Sequence, residues 1–303
     1  MMDRRFFVTI RHSGFVAIVG RPNVGKSTLL NAILGEKIAI VSPKPQTTRN
    51  KITGVYTKEE TQLVFLDTPG WHQPKTKLGN YMAKSVDATL IDVDAVLLVI
   101  EPHEEPRTAE TELLSKLGKQ VPVLLVINKI DTLADKSALM GVIAHWSKLR
   151  NFTAVIPISA MKNDGVDALL AELIPMMPEG PQYYPDDIVT AEPERVVVAE
   201  IIREKLLTLL SAEIPHGIAV SIERMHEREN GDLIDIDATI YCERESHTGI
   251  IVGKGGSMLK KVGTQARVDI ESLLGCHVGL HLWVKVKENW RNREGILRTL
   301  GYD

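Results

Sequence analysis

The sequence predicts an α/β chain in two parts: a mainly parallel sheet flanked by helices, then a smaller α+β domain. Three observations carry that prediction. Short apolar runs at 15–19, 95–100, 121–127 and 154–158 have the length and composition of strands buried on both faces, and helix-compatible stretches separate them. The first run leads into a glycine-containing turn, Gly20-Arg21-Pro22-Asn23-Val24-Gly25-Lys26-Ser27, and a helical stretch at 28–34 leaves it. Pro178, Pro181, Pro185 and Pro193, with Gly180, then break the rhythm and mark a semi-extended linker.

Taken in order, 42–50 is polar and proline-broken and reads as a mobile loop. Residues 51–57 and 62–66 are strands around the turn Lys58-Glu59-Glu60. Asp67-Thr68-Pro69-Gly70 closes the second of them, and a loop runs to a helix near 78–90. The later strands alternate with helices at 108–117, 134–149 and 165–174. That alternation implies a parallel sheet with its ligand at the strands' carboxyl ends.

Beyond the linker, 195–210 is an amphipathic helix with Val198, Ile202, Leu206 and Leu209 on one stripe. Ile218, Val220 and Ile222 alternate with polar residues, as do Ile234, Ile236, Ala238 and Ile240, and Asn230-Gly231 between them is a hairpin signal. A helix–turn–helix at 247–274 encloses Gly253-Lys254-Gly255-Gly256. A last strand at 278–286 sets Val278, Leu280, Leu282, Val284 and Val286 on one face and His281, Trp283 and Lys285 on the other. A terminal helix within 289–300 is anchored by Trp290, with Arg291 and Arg293 available to phosphates. The domains expected are a tail at 1–13, a first domain at 14–177, the linker at 178–193 and a second domain at 194–303.

The 303 residues are enough for two domains with separate cores. Hydrophobic content of 44% and charged content of 25% are those of a soluble globular chain. No apolar run approaches the ~20 residues of a membrane span. The start lacks a secretory signal, neither end carries a lipidation motif, and Cys242 and Cys276 fit neither a metal site nor a disulfide framework. The chain reads as cytoplasmic. Residues 254–298 hold nine basic against four acidic side chains. Such a stretch suits a polyanion, but on charge alone an ordinary solvated face is the better reading.

The turn at 20–27 has the G-x-x-x-x-G-K-S pattern in strand–loop–helix context. Its backbone N–H groups, from Gly20 through Thr28, can cradle phosphate oxygens at a helix N-terminus, with Lys26 on the β- and γ-phosphates and the Ser27 hydroxyl on Mg²⁺. Asn128-Lys129-Ile130-Asp131 follows the apolar run at 121–127. By composition alone N-K-x-D would arise in roughly one chain in twenty-five, so its place after a strand and after a phosphate loop is what makes it specific. A buried Asp131 carboxylate would accept from a guanine N1–H and exocyclic amine, and the wrong base would leave it unpaired at a cost of ~2 kcal/mol or more. Ser159-Ala160, after the next strand, can offer a backbone N–H to guanine O6. Asp67-x-x-Gly70 suits Mg²⁺, held by Asp67 through water, and a γ-phosphate met by the Gly70 N–H, with Asp67, Thr68, Pro69 and Gly70 forming the sensing turn. Thr47 and Thr48 in the mobile loop are candidates to close on the metal, Thr48 as its ligand.

These motifs, in this order and spacing, resemble those of the translation-factor-related GTPases. Gly20 to Thr28, Gln46-Thr47-Thr48-Arg49 and Asp67-Thr68-Pro69-Gly70-Trp71 are similar to the Era branch, and the match covers nearly the whole chain. The resemblance implies a Ras-like P-loop GTPase domain followed by a type II KH domain. It implies GTP hydrolysis with Mg²⁺ and use of K⁺ held partly by Asn23. It also implies binding to the 3′ region of 16S rRNA, a role in 30S subunit assembly, and peripheral association of a monomer with the inner membrane.

One residue departs from the Ras pattern. Trp71 stands where a water-positioning Gln would be, which implies slow intrinsic hydrolysis, and no replacement base stands out; His72 reads as an exposed loop residue. A KH loop clamps about four single-stranded nucleotides through close backbone approach. Gly253-Lys254-Gly255-Gly256 has that pattern, and Lys260, Lys261 and Arg267 extend the charge along the next helix. Alone such a match is expected by chance, and only its position among the elements gives it weight. His281 and Trp283 read as stacking residues or, preferred on sequence, as partner-facing or packed on the linker. Two other functions fit the motifs less well: an RNA-binding scaffold with little hydrolysis, opposed by the intact Lys26, Ser27, Asp67 and Asp131, and a membrane-associated signalling GTPase.

Overall fold

In β1 (His12–Val19) Val16 and Ile18 enter one apolar cluster, whereas Ala17 and Val19 enter another. The same split runs through β4 (Ala95–Ile100) and β5 (Val123–Ile127), where Leu97, Val99, Leu124 and Val126 face one way and Leu98, Ile100, Leu125 and Ile127 the other. Continuous apolar sequence is therefore the signature of a sheet covered on both sides. A computed structural model describes residues 10–103, 105–211, 213–228 and 232–302. The chain divides into two compact units: residues through Ala39, Thr48–Gln73 and Met82–Ala191 form the first, and Ile40–Thr47, Pro74–Tyr81 and Glu192 onward form the second.

The first unit holds a six-stranded sheet. Its remaining strands are β2 (Ile52–Lys58), β3 (Thr61–Asp67) and β6 (Ala154–Pro157), and the order is β2-β3-β1-β4-β5-β6. Only the β2–β3 pair is antiparallel; Glu59 at the hairpin tip takes a left-handed φ of 53°. Helices α1 (Lys26–Leu34) and α5 (Val166–Leu173) cover one face through Leu29, Leu30, Leu169 and Leu173. The other is covered by α2 (Lys77–Thr89), α3 (Thr108–Lys116) and α4 (Ala138–Leu149), through Val86, Leu113, Val142 and Trp146. Phosphate-loop, Asp67 and Asn128 segments all leave the carboxyl ends of parallel strands and converge at that end of the sheet. Two element starts in this unit differ from expectation by more than two residues. β1 begins at His12, inside the expected tail, because His12 to Ile18 pair with Thr61 to Asp67. α4 begins at Ala138 rather than 134, because Asp135 ties down the Ser137 N–H in a turn.

The second unit begins with α6 (Glu194–Leu209) and packs three strands, β7 (Ala219–Glu227), β8 (Leu233–Cys242) and β9 (His277–Val286), in the order β7-β8-β9. The β7–β8 pair is antiparallel, with a bulge between Ile222 and Arg224, and β8–β9 is parallel. The expected turn at Asn230-Gly231 lies outside the described residues. Ile236, Ala238, Ile240 and Val278 meet Val198, Ile202 and Leu206 of α6, Ile251 of α7 (Glu245–Val252) and Val262, Ala266 and Ile270 of α8 (Ser257–Leu274). Lys205 of α6 adds a polar tie, bridging Glu204 at 3.0 Å and Asp269 of α8 at 2.5 Å. Trp290 is fully buried and donates Nε1–H to the Gly217 carbonyl at 2.9 Å, just ahead of α9 (Glu294–Thr299). Among the described residues no helix is long and apolar enough to cross a membrane.

Candidate functional sites

Gly25 closes the phosphate loop with a left-handed φ of 97°, and a Cβ there would lie 2.2 Å from Asn128 Nδ2. Glycine is required by both facts. Asn128 is 2% exposed; its carboxamide donates to the Val24 carbonyl at 2.8 Å and accepts the Ala160 N–H at 3.0 Å. One side chain thus joins the phosphate loop, the N-K-x-D segment and the loop after β6. Lys26 is buried, and its ammonium donates to the Gly20 and Arg21 carbonyls at 3.2 and 2.9 Å. Burial lowers its pKa to about 8, against the opposing pull of Asp67.

A second group of oxygens gathers beside it. The Ser27 hydroxyl donates to Asp67 Oδ2 at 2.6 Å and lies 2.8 Å from Thr48 Oγ1. Asp67 is fully buried, which raises its carboxyl pKa to about 6 despite Lys26 and the Ser27 hydrogen bond. Its other oxygen, Oδ1, is buried with no hydrogen-bond partner. Buried carboxylate oxygens are normally satisfied. A hard oxygen set with one member left over fits Mg²⁺, which favours one or two protein oxygens and completes its shell with water and phosphate.

Other expected residues are placed differently. The Arg21 side chain turns from the loop to two carboxylates, with Nε 2.8 Å from Glu110 Oε1 and an Nη 3.1 Å from Glu101 Oε2. Thr68 donates its hydroxyl to the Ile18 carbonyl at 2.8 Å and so fastens its turn to β1. The Trp71 N–H meets the Gly20 carbonyl at 3.0 Å, while the indole packs into the core under Lys116, 4.2 Å from the ring centroid. His72 Nδ1 lies 2.9 Å from the Gly70 carbonyl. Thr47 donates to the Lys44 carbonyl at 2.6 Å within its own loop. Asp131 was expected to be buried and is exposed; it stands on a 3₁₀ turn at the rim, where Ser159 donates to Oδ1 at 2.6 Å.

In the second unit the G-x-x-G segment separates α7 from α8, and Gly253, Gly255 and Gly256 all have left-handed φ, between 60 and 81°. That loop and the start of α8 open one end of a groove of about 620 Å³ between α8 and β9. Lys260 and Arg267 line one wall, His281 and Trp283 the other, and Lys254 and Lys261 are exposed outside it. Trp283, 47% exposed, lines this groove, a place open to either a stacked base or a partner. Strand alternation carries no information on the groove, which the packing of α8 beside the edge strand β9 creates. Glu101 and Glu110 were not singled out by sequence; the one available signal was Glu101 directly following an all-apolar strand.

A P-loop domain with a guanine-type N-K-x-D site, joined to a KH-type helix–loop–helix module, defines a GTP-binding protein with a nucleic-acid-binding partner domain. The model of the 50S ribosome-binding GTPase family matches residues 15–129, and that of the KH domain matches 213–291. GTPase Era of Ruminiclostridium cellulolyticum is 53% identical over 291 residues, covering 96% of this chain and 97% of that relative; GTPase Era of Alkaliphilus oremlandii is 54% identical over 292 residues, covering 96% and 99%. The chain belongs to the Era family of GTPases. An Aquifex aeolicus Era variant bound to GDP·AlF₄⁻ superposes with a TM-score of 0.92 at 40% identity, covering 96% of this chain and 99% of that one. Era in complex with MgGDPNP and nucleotides 1506–1542 of 16S ribosomal RNA gives 0.93 at 39% identity, with the same coverage.

Proposed function

We propose that this chain is a Mg²⁺-dependent GTPase whose KH domain binds the 3′ region of 16S rRNA and that it acts in 30S ribosomal subunit assembly. The observation that carries the catalytic half is the Ser27 hydroxyl between Asp67 and Thr48, beside a buried Asp67 oxygen with no partner. In this reading the backbone of Gly20 to Thr28 and the Lys26 ammonium hold the phosphates, and Ser27, Thr48 and Asp67 serve the metal. Gly70 and Thr48 respond to the γ-phosphate, with Thr47, Thr68 and Pro69 shaping their turns. Asn128, Lys129, Asp131, Ser159 and Ala160 form the base site. Asp131 already has one oxygen held by Ser159, and the arriving guanine completes its desolvation.

The two domains proposed are those expected at 14–177 and 194–303, the first carried back to His12 by β1 and grouped with 178–191 in one compact unit. Trp71 is committed to the core, so no side-chain amide follows Gly70 to orient water, and slow turnover follows. Asn23 is exposed on the phosphate loop and is the residue assigned to K⁺. If exchanging K⁺ for Na⁺ leaves turnover unaltered, Asn23 has no such role. A cytoplasmic location, a monomeric state and peripheral association with the inner membrane are part of the same proposal.

For the RNA half, support comes from the glycine loop and the basic, aromatic-lined groove, the features with which KH domains clamp single strands. The test is RNA affinity at stated salt in the GTP-analogue, GDP and nucleotide-free states, with the Lys254→Asp/Gly255→Asp variant alongside. Loss of RNA binding with GTP binding retained supports the assignment; joint loss of both would mean misfolding, and equal affinity in every state would reduce the chain to a scaffold.

A further inference from the structure

Lys129 reaches from the N-K-x-D segment to the phosphate loop, where its ammonium donates to the Asn23 carbonyl at 2.6 Å. The same ammonium is 2.5 Å from Glu101 Oε1. Glu101 is the residue immediately after β4, the strand between those bearing the two loops. Its other oxygen meets Arg21 at 3.1 Å. Arg21 is separately held by Glu110, whereas Glu101 is the one carboxylate paired with Lys129 among the described residues. Burial alone would raise the Glu101 pKa, but Lys129 and then Arg21 outweigh it and hold the carboxyl below its ordinary range. Glu101 is therefore ionised at neutral pH. A lysine on four rotatable bonds has a strong preference for water, and 36% of this side chain remains exposed. The Asn23 carbonyl accepts one of the three ammonium donors, and the ionised Glu101 carboxylate adds an ion pair that restrains the same group.

We infer that Glu101 is a positioning residue of the nucleotide site: by fixing the Lys129 ammonium on the Asn23 carbonyl, it keeps the base loop closed on the phosphate loop and slows nucleotide release. This rests on the guanine-nucleotide reading of that site. Because the tie joins two loops around a ligand, its loss acts on residence time more than on association.

The test is GDP release from the full chain, followed with a fluorescent GDP, in wild type, Glu101→Gln, Lys129→Met and the double variant. Glu101→Gln, isosteric at a half-exposed position, is expected to release GDP about tenfold faster. The double variant is expected to match Lys129→Met within about twofold, since a residue acting through Lys129 has nothing left to position. Glu101→Asp, which keeps the charge but shortens the arm, should fall between wild type and Glu101→Gln. Multiplying effects in the double variant, or a change below about twofold in Glu101→Gln, overturns the inference. Thermal midpoints of the nucleotide-free proteins separate this from simple destabilisation, which would lower the midpoint and make the two effects independent. A wild-type chain that fails to bind GDP would instead remove the guanine reading itself.

Discussion

The carboxamide nitrogen of Asn128 donates to the carbonyl of Val24 at 2.8 Å, across 104 residues of sequence. This bond, with the one from Ala160 N–H to Asn128 Oδ1, makes one buried side chain the link between three loops. Replacing it with Ala strands a buried carbonyl and a buried N–H, at roughly 1–3 kcal/mol each. Asn128→Ala is expected to weaken GDP binding by about a hundredfold, measured by calorimetry, while RNA binding by the second unit persists. Retained nucleotide affinity would show that the loops do not need this tie.

Glu110 is wholly buried and accepts from Arg21 Nε at 2.8 Å, from the Arg107 N–H at 2.7 Å and lies 3.1 Å from His103 Nε2. Removing one partner of a buried ion pair leaves an uncompensated charge, which costs about 3–5 kcal/mol, whereas replacing both with apolar groups is often neutral. Arg21→Met should therefore lower the urea midpoint of the first unit markedly, and Arg21→Met/Glu110→Leu should recover most of the loss. A double variant no better than the single would mean that Glu110 gains its stability from α3 capping and His103 alone.

Much of this was legible in the residues. Run length placed the buried strands because β4 and β5 are covered on both faces, where six consecutive apolar side chains between turn signals suit a parallel sheet. Motif order placed Lys26, Ser27, Asp67 and Asn128 because each follows a strand end, so their convergence is a property of topology. What the sequence withheld were pairings that cross between elements. Arg21 reads as part of a phosphate loop, yet its partner Glu110 is 89 residues away on a helix with its own capping logic. Asp131 read as buried because its chemistry needs a dry pocket, but a short 3₁₀ turn at the rim leaves it open to water. Trp283 read as outward from alternation, and only the packing of α8 beside β9, an edge strand, made a groove along that edge.

Asp67 carries a pH prediction. Burial raises its carboxyl to about 6, so below that pH the folded site holds a proton where the metal would bind. A proton on Asp67 removes the charge that holds the hydrated cation, and metal affinity must rise with pH until the group is ionised. Mg²⁺ affinity of the GDP complex is expected to climb between pH 5 and about 6.5 and then level. Asp67→Asn should bind the metal weakly and lose that component of the slope. An unchanged slope in the variant would assign the titration to the nucleotide phosphates.

The groove of the second unit separates two kinds of RNA contact that a simple loss of binding would confuse. Lys260 and Arg267 on α8 line the groove as candidates for phosphates, and Trp283, 47% exposed, lines it as a candidate for a base. Phosphate contacts displace counterions, so Lys260→Ala should reduce the slope of log affinity against log salt by about 0.7, the increment for a single strand. Stacking contributes roughly 1–3 kcal/mol per base with no counterion release, so Trp283→Ala should weaken binding about tenfold or more at every salt concentration and leave the slope alone. Gly263 offers the complementary test, because it forms part of the α8 wall and an added Cβ would sit 3.4 Å from Leu282, in ordinary contact. A glycine inside a helix costs about 1 kcal/mol relative to Ala, so a larger residue has no propensity reason to destabilise α8. Gly263→Leu should therefore fill the groove and reduce RNA affinity at least tenfold without lowering the thermal midpoint. If Trp283→Ala alters the salt slope while Gly263→Leu binds RNA normally, the strand runs over the charged face of α8 and not between α8 and β9.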